Sequence, residues 1–165
     1  MIENLTSTSE ALYQTLSHDD DLIAVVRGHL YVESMLNRLI ESLLPYPKEI
    51  ENSRLGWPQR VELSLALGLK KQYGAPLKKL GKIRNTFAHQ PDASIQQKDI
   101  LDLYRCLNKS DQAIVLNSYR KACGKHDDLQ NKEFGNLDHK SKFALIVISI
   151  VAMLNVAISQ SETNP

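Results

Sequence analysis

Arg84-Asn85-Thr86-Phe87-Ala88-His89 places a permanent cation, an amide and a titratable imidazole within one short stretch. Guanidinium holds phosphate oxygens in a planar fork, and imidazole passes protons near neutral pH, so the set suits phosphodiester chemistry. A regular helix turns about 100° per residue, which leaves Arg84 and His89, five apart, pointing about 140° from one another. One helix does not aim both at one atom. Fraying ahead of Pro91 would bring them together, and so would a second copy of the helix in a dimer.

Gly and Pro are scarce and no run alternates as a strand would, so the elements that must position these residues are helices. The pattern predicts a single all-α domain over 1–165, a bundle of about six to seven helices. Ser7 with Glu10 fits a capping box for a short helix ending near Ser17. Asp19 or Asp20 caps a long helix to about Leu44, stopped by Pro45 and Pro47. After a connector over 45–57, Pro58 suits the first turn of a helix to about Tyr73, which Gly74 and Pro76 break. The motif helix then runs from about 76 to 88 and ends near His89, because Pro91 drives Gln90 from helical geometry. Ser94 with Gln97 opens a helix to about Leu107, and another runs from Ser110 to Gly124. Residues 125–138 read as an exposed loop before a final helix.

On the long second helix, Leu22, Val26, Leu36, Ile40 and Leu43 form an apolar stripe with His29 and Glu33 in its middle. A carboxylate there needs a cation, and Arg84 sits on the rim of the inward side that Leu77, Leu80, Ile83 and Phe87 define. Two readings therefore stand side by side. Arg84 is either an internal partner of Glu33, with His89 favouring the helix dipole, or part of a functional site. His29 reads more simply as a packed core histidine.

The whole chain carries a net charge of +1, which excludes a global basic field for nucleic acid. Between Glu62 and Asp92, however, Lys70, Lys71, Lys78, Lys79, Lys82 and Arg84 occur with no acidic residue. That segment is a candidate RNA-facing patch, or simply a solvated face. Cys106 and Cys123 have no metal-ligand spacing, and His126, Asp127, Asp128, Asp138 and His139 match no ligand pattern, so no metal and no cofactor is expected. The N-terminus lacks a basic region followed by an apolar core, and the apolar run Phe143–Ile158 is shorter than the ~20 residues a span needs. A cytoplasmic protein without a membrane partner, with a buried C-terminal helix, is the expectation.

The R-N-x-x-x-H element, with Ile83 before it and Phe87-Ala88 within it, resembles the signature of the HEPN superfamily of small helical domains. Arg27-Gly28-His29-Leu30-Tyr31-Val32-Glu33, then Leu36, Leu39 and Ile40, then Val61 to Leu69 with Gly68, resemble the helical domain of the mannitol repressor type. The resemblance covers residues 20–92 best. It implies a metal-independent endoribonuclease working as a homodimer, with Arg84, Asn85 and His89 catalytic and Glu33 and His29 behind them. It also implies a toxin or phage-defence role with an antitoxin or regulatory protein partner. The alternative it leaves is a non-enzymatic transcriptional regulator or interaction module of the mannitol repressor kind.

Overall fold

The computed structural model describes residues 10–17, 20–50, 53–90, 92–123 and 132–163. Seven α-helices and no strand occur among them: α1 (10–17), α2 (Asp21–Leu43), α3 (Trp57–Ala66), α4 (Gly74–His89), α5 (Gln97–Cys106), α6 (Lys109–Cys123) and α7 (His139–Thr163). Short 3-10 turns lie at Pro47–Ile50, Lys71–Tyr73 and Phe134–Asn136.

α7 is the axis of the bundle. Every residue from Ser141 to Ile150 is buried, the pattern of a helix covered on all sides. It is longer than its apolar run suggested, and by length and composition alone could cross a membrane; here its apolar surface lies inside the bundle. α2 lies along it in the same direction: Lys140 Nζ meets Asp21 Oδ1 at 3.1 Å where both helices start, and Ser42 Oγ and Ser161 Oγ share a 2.7 Å hydrogen bond where they end. Between these points Gly28 lets the Phe143 ring approach, since a Cβ there would stand 3.1 Å from it. α5 and α6 pack on α7, while α3 and α4 pack on α2 and on each other.

Caps and breaks explain the boundaries. Asp20 caps α2, its Oδ1 accepting from the N–H groups of Leu22 and Ile23 at 2.8 and 3.3 Å; Ser7, Asp19 and Gly124 lie outside the described residues. α3 stops at Ala66 rather than near Tyr73. Gly68 takes φ +114°, and the N–H groups of Gly68 and Leu69 close back on Leu65 and Ser64, a glycine-terminated helix end. Gly74 and Pro76 consequently open α4 instead of breaking its predecessor, since a first-turn N–H has no helical acceptor for proline to forfeit. Ser94 does not cap α5; its Oγ and carbonyl accept from the Gln96 amide. Asn108 caps α6 by accepting from the Asp111 N–H at 2.8 Å. Of the exposed loop expected over 125–138, residues 125–131 lie outside the described residues, and the remainder is partly core. Leu137 is buried, and Phe134 packs against Tyr104 and Tyr119.

The buried stripe of α2 also differs from the one expected. Val25, Gly28, His29, Val32, Leu36, Leu39 and Ile40 are inside, whereas Leu22, Val26 and Leu43 are half-buried. A helix gripped by α7 on one side and by α3 and α4 on another needs a wider apolar face than one stripe.

Candidate functional site

α4 carries the motif, and its inward face is the one expected: Leu77, Leu80, Ile83 and Phe87 are buried. Arg84, Asn85 and His89 are exposed. Arg84 Nη1 donates to Asn85 Oδ1 at 3.3 Å, so the amide neighbours the guanidinium and restrains it. The helix does not fray before its end; the Gln90 N–H closes on the Thr86 carbonyl at 2.9 Å, keeping His89 in helical register. Lys78, Lys82, Asn85 and His89, at helical spacing, form one outward stripe, with Arg84 on the flank beside Leu77 and Gly81.

The cation that meets Glu33 is Arg60, not Arg84. Arg60 Nε lies 3.2 Å from Glu33 Oε1, and Arg60 Nη1 donates to Asn37 Oδ1 at 2.5 Å. Side chains of α3 reach α2 directly, so Arg60 takes the place that the inward lean of Arg84 suggested. Arg84 pairs with no carboxylate among the described residues. Because Arg60 and Glu33 are each about a quarter exposed, Arg60→Ala is expected to lower stability by about 1–3 kcal/mol, below the full cost of orphaning a buried charge. Urea denaturation checks it, and a loss as small as that of a surface arginine would show the pair to be incidental.

His29 is 4% exposed, and its ring packs on Trp57 with centroids 4.2 Å apart. Its Nδ1 is 3.9 Å from Glu33 Oε2. Burial depresses its pKa below 6.5; Glu33 opposes this and the Arg84 charge adds to it. The folded state therefore binds less proton than the unfolded chain, and the stability this confers is complete above pH 6.5 and falls as pH drops from 6.5 towards the lower folded value. The loss is limited to about 1.4 kcal/mol per pH unit within that window. Urea midpoints at pH 7.5 and 5 should fall more for the wild type than for His29→Gln; equal falls would refute a neutral buried His29.

The lysines separate into different roles. Lys79 Nζ is 2.9 Å from Asp99 Oδ1 and 3.6 Å from Asp102 Oδ2 and mostly covered, so it staples α4 to α5. Burial lowers its pKa, but its bonds and charges with Asp99 and Asp102 outweigh this and raise it. Lys78 lies 3.8 Å from Glu62 at the surface. Lys70, Lys71 and Lys82 are exposed. The stretch without acidic residues is thus partly neutralised by carboxylates from α3 and α5.

Three residues essential to this geometry did not stand out in the sequence: Trp57, Arg60 and Gly81. The Trp57 Nε1–H donates to the Leu77 carbonyl at 3.1 Å, and its indole covers Gly81, where a Cβ would stand 2.3 Å from Nε1. Chemically, Arg84 and Asn85 offer a phosphate donors and positive charge, and His89 offers an exposed acid or base. A single chain presents Asn85 and His89 on the outward stripe of α4 and Arg84 on its flank. No protein-family model matches the chain, and neither a curated protein nor a solved structure does.

Proposed function

We propose that this chain is a HEPN-type, metal-independent endoribonuclease that acts as a homodimer. The observation that carries the reading is the disposition of the motif: Arg84, Asn85 and His89 all face solvent on a helix whose other side is buried, while Arg60 satisfies Glu33. A structural arginine would be engaged by a carboxylate. In the dimer, two α4 helices face one cleft, which resolves the angular separation of Arg84 and His89 along one helix. His89 removes the proton as the RNA 2′-hydroxyl attacks the adjacent phosphorus, and Arg84 stabilises the added charge on the pentacovalent phosphorane. Asn85 orients Arg84. The P–O5′ bond breaks, the leaving oxygen takes a proton, and a 2′,3′-cyclic phosphate and a 5′-hydroxyl result. An RNase of this kind suits a toxin or phage-defence role restrained by a neutralising protein.

Purified protein should cleave RNA in EDTA and leave cyclic phosphate ends. Absence of wild-type cleavage, or 3′-hydroxyl and 5′-phosphate ends throughout, rejects the reading. A second reading, a helical interaction module of the mannitol repressor kind, is favoured by Ile23, Leu30 and Tyr31, which expose 42%, 55% and 41% of their surface on α2. An inactive protein that still self-associates through this face would support it.

A further inference from the structure

α2, α3 and α4 meet at one indole. Trp57 is the first residue of α3, and it is held from two sides at once: its ring packs against His29 of α2, and its N–H bonds the Leu77 carbonyl of α4. It also occupies the only kind of gap a helix surface can offer so close to its backbone, the missing side chain of a glycine. A Cβ on Gly81 would lie 2.3 and 2.4 Å from indole atoms, so any other residue would force the ring away by roughly 1 Å or more to reach ordinary contact. Glycine inside a helix costs about 1 kcal/mol relative to alanine. Here the close approach of the indole accounts for it.

Arg84 is one turn beyond Gly81. Side chains lean towards the N-terminus of their helix, so that of Arg84 leans back towards the turn that Trp57 covers. Its charge is felt at His29, which packs on the same indole. On the α2 side, Glu33 lies one turn past His29, and its carboxylate already draws a guanidinium inwards, that of Arg60. The rotation of α4 about its own axis sets the direction of Arg84, and the indole over Gly81 is the contact next to Arg84 that helps hold it, beside the buried face of Leu77, Leu80, Ile83 and Phe87 and the Lys79 staple to α5.

We propose that Trp57 is a positioning residue for Arg84: seated over Gly81 and backed by His29, its indole fixes α4 so that Arg84 is presented to solvent rather than to Glu33. This rests on the phosphate-handling role given to Arg84 above. Trp57 itself touches no substrate. It acts by keeping a guanidinium free that a small rotation of α4 would turn towards a carboxylate.

The test reads Arg84 directly. Full-length wild type, Trp57→Phe and Gly81→Ala are treated with phenylglyoxal, and modification of Arg84 is followed by peptide mass under conditions where circular dichroism shows each variant folded. Arg84 should react at the rate of an exposed arginine in the wild type and at least threefold more slowly in Trp57→Phe, with Glu33→Gln restoring the rate in the double variant. Gly81→Ala, which displaces the indole instead of trimming it, should give the same loss. Unchanged Arg84 reactivity in both variants overturns the proposal. Single-turnover RNA cleavage should fall at least tenfold in Trp57→Phe per folded molecule, and a wild-type rate there overturns it too. If the wild type does not cleave RNA at all, the nuclease reading fails while the phenylglyoxal comparison still decides whether Trp57 positions Arg84.

Discussion

Arg84→Ala is expected to slow RNA cleavage by about 10²- to 10³-fold, some 2.7–4 kcal/mol of transition-state stabilisation, and to leave the stability of the fold almost untouched. The first figure is the usual consequence of removing a donor aimed at developing negative charge. The second follows from the surroundings of the residue. Arg84 is exposed, it donates a hydrogen bond to the neighbouring Asn85, and no carboxylate pairs with it among the described residues, so its loss should stay within about 0.5 kcal/mol. His89→Ala should behave alike. Single-turnover kinetics and urea denaturation on the same preparations measure both quantities. A large loss of stability with an equal loss of activity would make Arg84 a structural residue, and full activity in either variant would remove the motif from the chemistry.

The largest effect on stability is expected far from that surface, at Phe143. Its side chain is 0% exposed and packs against the gap at Gly28, on the seam between α2 and α7. Truncation to alanine removes most of a buried aromatic ring and leaves a cavity that neither helix can easily collapse into, because Asp21–Lys140 and Ser42–Ser161 tie them together at both ends. A loss of about 3–5 kcal/mol follows, a large share of the stability of a domain of this size. Chemical denaturation reads it. A loss below about 1.5 kcal/mol would mean that the seam between α2 and α7 is far more plastic than its packing implies.

Local signals carried much of the helix inventory. Asp20 caps the helix it was expected to cap, the motif helix ends at His89 just before Pro91, and Leu77, Leu80, Ile83 and Phe87 face inward as their spacing requires. Gly68 was equally legible as a helix end, but a glycine is read as a terminator only if the helix before it is already judged complete. The failures at the site have another cause. Periodicity shows which face of a helix turns inward, not which neighbour meets it, so Arg84 stands as one candidate partner for Glu33 while the side chain across from it is Arg60. The same limit hid Trp57. A glycine in mid-helix hints at a close approach, but nothing local says that a tryptophan from another helix supplies it.

The parallel seam between α2 and α7 joins residues 119 positions apart in the chain, as the bond from Ser42 to Ser161 illustrates. Closing so long a loop carries an entropic cost that must be met before the seam rewards it, whereas contacts among α2, α3 and α4 close loops of a few tens of residues. Folding should therefore assemble the three helices around Trp57 early and seat α7 late, with φ-values that are high around α3 and α4 and near zero at Phe143. During synthesis the surface bearing Arg84 and His89 would then exist as a loose outline until the most apolar helix has emerged, so that competence for chemistry is gained last.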